Sequence, residues 1–170
     1  AAKFARSQTS YEPDIAQIEE EKERISRIIA NPDGIPHHQA EYKIRRIVSD
    51  YLMPPKYSHK MEVGLEKILR FRQIDLSMIG ARDPHELGRA LEVFSITDCA
   101  EMMARASLFR TESRWGFYHY RVDYPELDNK NWFKRVIVKK GEDQSMQLFT
   151  REVPEYILSR EGSVDEQSVS

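Results

Sequence analysis

The chain has 170 residues, a length typical of a single globular domain that buries a core of its own. Hydrophobic residues make up 40% of it and charged residues 32%, and the formal net charge at pH 7 is −2. This balance gives no overall attraction to nucleic acids or anionic membranes, and no apolar run approaches the roughly 20 residues of a membrane span. The composition therefore excludes a strongly basic nucleic-acid binder and a membrane-inserted chain.

The first third of the chain predicts two amphipathic helices. Pro13 suits a first helical turn, and isoleucines follow it at helical spacing up to the Asn-Pro-Asp-Gly breaker at residues 31–34. The acidic run at residues 19–23 then lies on the solvent face. A second helix begins at Pro36 and stops at the Met-Pro-Pro of residues 53–55.

Two further helices follow these. A third helix begins near Ser58, a favourable N-cap, and runs through Leu76, so that the first three helices predict an antiparallel bundle. The fourth helix has a strong start signal in residues 83–86, where Asp-Pro-His-Glu combines an N-cap acid, a first-turn proline and a capping-box glutamate. Helical spacing continues to Leu108 but weakens at residues 95–98, which leaves either one long helix or two helices that meet there.

After Pro125 the sequence takes on the pattern of strands. Apolar runs at residues 136–138 and 146–149 flank a polar segment at 139–143 and predict a β-hairpin. The polar tail at residues 159–170 has no periodicity and predicts a disordered end. The fold class is therefore mainly α: a three-helix antiparallel bundle, a long fourth helix and a small C-terminal β-hairpin.

The single cysteine and the histidines predict neither a disulfide nor a metal site. Cys99 has no cysteine partner and lies in the fourth helix, which favours a small buried hydrophobe in a reducing, cytoplasmic setting. His37 and His38 are adjacent, and on a helix they point apart, whereas structural zinc needs four converging nitrogen or sulfur ligands.

The densest polar chemistry lies at residues 110–125, Arg-Thr-Glu-Ser-Arg-Trp-Gly-Phe-Tyr-His-Tyr-Arg-Val-Asp-Tyr-Pro. Arg110 and Arg114 lie four apart and would share a helix face as a paired cationic site for carboxylates, or they form salt bridges within the segment. The acids available for such bridges are Glu112, Asp123 and Glu126. His119 is the best acid–base candidate, although it has no nucleophile partner at a recognisable spacing and is otherwise a structural histidine among aromatic rings.

Two binding functions are also consistent with this segment. Aromatic and basic residues together are typical of single-strand nucleic-acid binders, but the acids at residues 123, 126 and 128 and the acidic balance of the chain oppose phosphate binding. A protein-binding patch fits better, because aromatic residues and arginine are common interface anchors. Its members would be Trp115, Phe117, Tyr118 and Tyr120.

The segment resembles the Glu-Ser-Arg, Gly, His, Arg, Asp, Pro signature in the C-terminal domain of succinate dehydrogenase and fumarate reductase flavoproteins. Trp115 followed by aromatics resembles the alpha subunit of adenylylsulfate reductase, and the similarity continues at residues 131–138 and 148–154. Compared with the compact Arg-Gly-x-His of succinate dehydrogenase, Trp115 and Tyr118 are extra residues. The supporting or interface residues that the resemblance implies are Arg110, Glu112, Ser113, Arg114, Trp115, His119, Arg121, Asp123, Tyr124, Trp132, Lys134 and Arg151.

The resemblance implies the C-terminal helical domain of an FAD-dependent oxidoreductase. Residues 1–10 would be the end of a flavin-domain helix, residues 11–158 the helical domain, and residues 159–170 the tail. None of the 7 glycines lies in the Gly-rich turn that dinucleotide binding needs, so FAD would bind mainly outside this chain, which would hold no catalytic residue.

The implied partners are the flavin-binding domain of the same protein and an iron–sulfur subunit. The implied location is cytoplasmic, peripheral to the membrane through partner subunits. Two alternatives remain open at this point. One is a stand-alone helical interaction module, and the other is the equivalent domain of L-aspartate oxidase, which shares the Glu-Ser-Arg-Gly and Asp-Tyr-Pro-Glu motifs but has no iron–sulfur partner.

Overall fold

A computed structural model describes residues 2–7, 12–143 and 145–154 of the chain. Within these ranges the helices are α1 (Ala2–Ser7), α2 (Ile15–Ile29), α3 (His37–Tyr51), α4 (Ser58–Ile74), α5 (Pro84–Phe109) and α6 (Asn129–Trp132). Strands β1 (Ile35–Pro36) and β2 (Ile79–Gly80) pair in parallel, whereas β3 (Lys134–Lys140) and β4 (Met146–Glu152) form an antiparallel hairpin. The mainly α class with a small C-terminal hairpin is confirmed. The predicted tail at 159–170 lies outside the described residues.

The core lies where α3, α4 and α5 pack against one another. Its fully buried side chains include Ile44 of α3, Met61, Ile68 and Phe71 of α4, and Val93 of α5. Burying a side chain of this size stabilises the fold by roughly 1.5–3 kcal/mol. The bundle therefore consists of the second, third and fourth predicted helices, not of the first three.

Helix α2 packs on one end of this core through its last turn. Ile28 is its only buried residue, and the Ile28 carbonyl accepts a hydrogen bond from the Ala81 amide at 3.1 Å. Ile15 and Ile18, on the predicted apolar stripe, are exposed. The isoleucine spacing predicted the helix correctly, but it could not show whether the apolar face meets a core within this chain.

Helix α5 is continuous over 26 residues, which settles the open alternative in favour of one long helix. Asp83 caps its start by accepting the Glu86 amide at 2.8 Å, as the capping signal predicted. The stretch at residues 95–98 is helical, and within it the fully buried Thr97 hydroxyl donates to the Val93 carbonyl at 2.7 Å, so this polar group is satisfied inside the helix. No helix in the part of the chain that the structure describes is long and apolar enough to cross a membrane.

Four local predictions are corrected. Pro13 precedes α2, whose N-cap is Asp14. Ser58 is the first residue of α4 rather than its N-cap, and Leu76 belongs to a 3-10 turn after that helix. Cys99 is exposed, because it lies on the solvent side of α5.

Gly80 allows a close backbone approach where β2 crosses the loop after α2. A Cβ atom there would lie 1.8 Å from the Asn31 carbonyl oxygen and 3.0 Å from the backbone of Gly34. Gly88, in contrast, is exposed in α5, and a Cβ atom there would meet nothing within 4 Å. Gly80 and Gly88 therefore provide a crowded and an open position at which the effect of an added methyl group can be compared.

We expect Gly80→Ala to lower the free energy of unfolding by about 1–3 kcal/mol, because the added methyl group cannot fit without moving the backbone. Gly88→Ala should raise it by about 0.5–1 kcal/mol, because alanine favours the helix interior. Urea denaturation of both variants measures the two changes. Changes of the same sign would contradict the close approach at Gly80.

Candidate functional site

The residues predicted to carry function lie mainly in the signature loop, which we define as residues 110–126. Helix α5 ends at Phe109, and Arg110 is its C-cap with an extended backbone, so Arg110 and Arg114 do not share a helix face as predicted. The loop is held by backbone hydrogen bonds to the segment before α4. The Lys56 amide donates to the Tyr120 carbonyl at 3.0 Å, and the Val122 amide donates to the Lys56 carbonyl at 2.8 Å.

Arg121 is the most enclosed residue of the loop, with a side chain that is 0% exposed. Its Nε and Nη2 atoms donate to the two carboxylate oxygens of Asp123 at 2.8 and 2.7 Å. Nη2 also donates to Ser58 Oγ at 2.9 Å, and Nη1 donates to the carbonyls of Ser107 and Arg110 at 2.6 and 2.9 Å. One guanidinium thus joins the start of α4, the end of α5 and the loop.

Asp123 receives hydrogen bonds from the start of α4 as well as from Arg121. The amide and hydroxyl of Ser58 donate to its Oδ2 at 2.8 and 2.6 Å, so Asp123 caps α4 from 65 residues away. The bidentate bond from Arg121, and then the bonds from Ser58, hold the pKa of Asp123 well below its usual range. The carboxylate is therefore ionised in the folded chain near neutral pH.

Glu112 forms a second buried centre, with a side chain that is 0% exposed. Its carboxylate accepts from Arg110 Nη1 at 2.5 Å, from Arg114 Nε at 2.7 Å and from the Asp128 amide at 2.9 Å. Burial alone would raise the pKa of Glu112, but the hydrogen bonds from Arg114, Asp128 and Arg110 outweigh it and hold that pKa below its usual value. Of the two predicted roles for the arginine pair, salt bridging within the segment is the one observed.

Arg110 also connects the loop to α6 and the hairpin. It donates to the carbonyls of Trp132 and Lys134 at 2.9 and 2.6 Å, and its guanidinium lies 5.2 Å from the centre of the Trp132 ring. Arg114 reaches α6 by donating to Asn129 Oδ1 at 2.9 Å. The segment at residues 131–138, where the family resemblance continues, therefore contacts the signature loop directly.

Ser113 and Tyr124 complete the enclosure of Arg121. The Ser113 hydroxyl accepts the Arg121 amide at 2.8 Å and donates to the Tyr124 carbonyl at 2.8 Å. The Tyr124 ring lies 4.9 Å from the Arg121 guanidinium, a cation–π contact. Both residues act by holding the backbone of the loop.

His119 is a buried residue of the loop and lies near three cations. Burial, and then the positive charges of Lys56, Arg110 and Arg121, together lower the pKa of His119 to about 4. Its Nε2 atom has no hydrogen-bond partner among the described residues. Lys56 is buried as well, donates to Ser107 Oγ at 3.2 Å, and has its pKa lowered by burial and by Arg121.

Three aromatic residues of the loop point away from this network. Trp115 has the left-handed backbone conformation, with φ 58°, and Gly116 shares it, so the chain turns outward there. The side chains of Trp115, Phe117 and Tyr118 are 70%, 69% and 83% exposed, and we name these three the aromatic tip. A cluster of large exposed aromatic side chains marks an interaction surface.

A cleft of about 570 Å³ lies between the end of α5, the signature loop, α6 and β3. Its apolar residues are Met103, Ala106, Val136, Ile137 and Val153, and its aromatic residues are Trp115, Trp132 and Phe133. Its cationic residues are Arg110, Arg114, Lys134 and Arg135, and we name it the cationic cleft. His119 and Ser107 also line it. No acidic side chain of the described residues lines this cleft.

The structure brings together every predicted site residue except Arg151, which is exposed on β4 and stacks on Phe149 at 6.0 Å. It adds partners that the sequence did not connect with the signature, among them Lys56, Ser58 and Ser107. All three lie more than ten residues from Arg121 along the chain, and no local motif connects them to the signature. Within the described residues, no group of three histidine, cysteine or acidic side chains is arranged to hold a metal.

We expect His119 to make stability depend on pH between about 4 and 6.5. The pKa of His119 is about 4 in the folded chain and near its ordinary value of 6.5 in the unfolded chain, so the unfolded chain binds more protons in this range. Stability should therefore fall as the pH drops from about 6.5 toward 4, by up to about 1.4 kcal/mol per pH unit from this residue.

His119→Gln should remove that part of the slope, whereas His38→Gln, at an exposed position, should leave it in place. Urea denaturation across this pH range measures both slopes. Equal slopes for His119→Gln and the parent chain would show that His119 is not held neutral by its surroundings.

The chain has clear relatives among known proteins. The family model for the fumarate reductase flavoprotein C-terminal domain matches residues 41–162. The adenylylsulfate reductase structure from the hyperthermophilic Archaeoglobus fulgidus is 27% identical, with a TM-score of 0.81 over 89% of this chain and 27% of that one. Quinol fumarate reductase of E. coli is 18% identical with a TM-score of 0.69, over 85% of this chain and 26% of that one.

A third similar structure is the Mycobacterium smegmatis Sdh1 complex, at 17% identity and a TM-score of 0.70, over 88% of this chain and 26% of that one. At this identity, as for the E. coli protein, the likeness shows the fold. This chain spans about a quarter of the length of the solved structures that it matches. The family model covers more than half of the chain and includes the whole signature loop, so the chain belongs to the family of fumarate reductase flavoprotein C-terminal domains.

Proposed function

We propose that this chain is the C-terminal helical domain of an FAD-dependent oxidoreductase of the fumarate reductase, succinate dehydrogenase and adenylylsulfate reductase type. In that protein it braces the flavin-binding domain and contacts an iron–sulfur electron-transfer subunit. The proposed location is cytoplasmic, peripheral to the membrane through partner subunits. One observation carries the supporting role: the charged side chains of the signature loop bond to one another inside the domain, while its aromatic tip is exposed.

The loop's three arginines are all engaged within the domain. Arg110 and Arg114 share Glu112, and Arg121 makes five hydrogen bonds to groups of this chain. A guanidinium with these partners holds neighbouring segments together, and to reach a substrate it would have to leave a buried carboxylate uncompensated. This arrangement supports a structural role for the signature, with the reacting groups supplied by the rest of the protein.

We propose that FAD binds mainly outside this domain. Dinucleotide binding requires a strand followed by a glycine-rich turn at a helix N-terminus, where backbone amides approach the pyrophosphate. The one place where a strand of a parallel pair leads directly into a helix is β1 to α3, and Pro36 occupies that junction. The flavin is therefore assigned to the part of the protein that precedes or surrounds this domain.

Exposed apolar side chains in the first two helices support the bracing role. Phe4 of α1 and Ile15 and Ile18 of α2 are exposed among the described residues, although the isoleucines lie on the apolar stripe of an amphipathic helix. Such a stripe normally packs on a core. The preceding flavin-binding domain would cover it, which agrees with a chain that spans about a quarter of the structures that it matches.

The second candidate is a stand-alone interaction module, and the exposed aromatic tip is the observation that favours it. Both candidates use the same surface, and they differ in whether the partner is part of a flavoprotein complex. The L-aspartate oxidase alternative differs in lacking an iron–sulfur subunit. Experiments on the intact flavoprotein together with its partner subunit separate the three.

We expect loss of the aromatic tip to weaken assembly without unfolding the domain. The test variant combines Trp115→Asn, Phe117→Ser and Tyr118→Ser in the intact flavoprotein, asparagine being chosen because it tolerates the left-handed backbone. Affinity for the iron–sulfur subunit should fall at least tenfold, because exposed aromatic anchors contribute most at interfaces. The melting temperature should stay within about 2 °C of the parent, since these side chains are exposed and surface changes have small effects.

Tyr42→Ser is the matched control, because Tyr42 is 70% exposed on α3, away from the loop. It should leave assembly unchanged. Subunit affinity is measured by titration of the purified flavoprotein with its partner. Equal affinity of the tip variant and the Tyr42→Ser control would exclude the tip as the contact and remove the main support for the proposed interface.

A further inference from the structure

We propose that the cationic cleft binds an acidic peptide segment with one bulky apolar side chain, supplied by a separate partner polypeptide. The inference rests on the proposed function, because it names the chemistry of the partner that the domain contacts. The cleft adjoins the aromatic tip and shares Trp115 with it, but it has its own floor and its own charges. Three properties of the cleft carry it.

The first property is an apolar floor large enough for one side chain and its neighbours. Met103 and Ala106 of α5 form one side, and Val136 and Ile137 of β3 form the other. The volume of about 570 Å³ lies within the range of roughly 300–1,000 Å³ that is usual for binding pockets. An aromatic or large aliphatic side chain buried there would act as the anchor that interfaces place in such pockets.

The second property is a rim whose positive charge is only partly compensated. Arg110 and Arg114 share a single carboxylate, that of Glu112. Lys134 pairs with Glu152 at 3.3 Å, and Arg135 donates to the Glu152 backbone carbonyl at 3.3 Å. Among the residues that the structure describes, these four cations thus pair with two carboxylates, and the Arg135 guanidinium can bind a further carboxylate through two parallel hydrogen bonds.

The third property is the positive potential behind the cleft. Lys56 and Arg121 are buried near His119, and besides burial their charges and that of Arg110 disfavour a proton on its ring, against the smaller opposing effect of Glu112. The neutral His119 ring does not itself repel a positively charged ligand, but the cationic side chains around it do. An acidic segment is therefore favoured over a neutral or basic segment of the same size.

A separate polypeptide is the occupant that fits best. Trp115 belongs to the aromatic tip and also lines the cleft, so a partner held by the tip reaches the cleft without a gap. Complementary charge at a rim raises the rate at which two separate molecules associate, an advantage that a domain of the same chain does not need. A small organic anion is the competing occupant, and the experiment includes it.

The probe is a blocked nonapeptide with one phenylalanine at its centre and four glutamates around it. Two comparison peptides carry lysines in place of the glutamates, or alanine in place of the phenylalanine. Binding to the 170-residue chain is measured by titration calorimetry, for the parent and for Arg135→Glu. Lys139→Glu is the matched control, because it makes the same charge change on the same strand at an exposed residue that does not line the cleft.

We expect the acidic peptide to bind the parent chain, and Arg135→Glu to weaken it at least tenfold. Lys139→Glu should change the affinity less than twofold. The alanine peptide should bind at least tenfold more weakly, and the lysine peptide should not bind measurably. Thermal melts of both variants verify that they remain folded.

Three outcomes would overturn the inference. These are equal binding of the acidic and lysine peptides, equal losses for Arg135→Glu and Lys139→Glu, and displacement of the acidic peptide by phenylacetate at equal concentration, which would assign the cleft to a small organic anion. Normal assembly of the aromatic-tip variant would instead contradict the proposed function. The failure of one proposal can therefore be distinguished from the failure of the other.

Discussion

The buried guanidinium of Arg121 is the interaction on which the arrangement of the signature loop depends. Its partners come from the start of α4, from the last turn of α5 and from the loop itself, so one planar group joins three segments, the first of which lies 63 residues before Arg121 in the chain. An arginine suits this position because its fork of donors can satisfy a carboxylate, a hydroxyl and two carbonyls at once. Lysine could not replace it.

This arrangement separates the polar chemistry of the loop from its exposed aromatic tip. Glu112 and Asp123 form ion pairs with the loop's arginines inside the domain. Because the guanidinium donors are used in these contacts, few of them are free for catalysis. Trp115 and its aromatic neighbours project from this fixed base. A rigid support beneath exposed aromatic anchors lowers the entropy lost on binding, which favours an interface over an active site.

The structural features that were predicted correctly from the sequence are those that local signals determine. The Asp83 cap, the continuous helical spacing that follows it and the alternation in the hairpin all have short-range causes, and all are present in the structure. Membership of the bundle was mispredicted, because Ile15 and Ile18 have the same spacing whether they meet this core or another domain. The partners of Arg121 could not be predicted either, since Ser107 accepts its hydrogen bond through the backbone carbonyl, and no residue type identifies such a carbonyl.

The central claim is that the Arg121 guanidinium holds the signature loop through its bond to Asp123. A double-mutant cycle of the unfolding free energy, with Arg121→Met, Asp123→Asn and the double variant, measures this coupling directly. We expect Arg121→Met to cost roughly 3–5 kcal/mol, because it leaves a carboxylate without its buried partner, and the double variant to cost clearly less than the sum of the two. Additive costs, or an Arg121→Met cost no larger than that of exposed Arg45→Met, would contradict the claim.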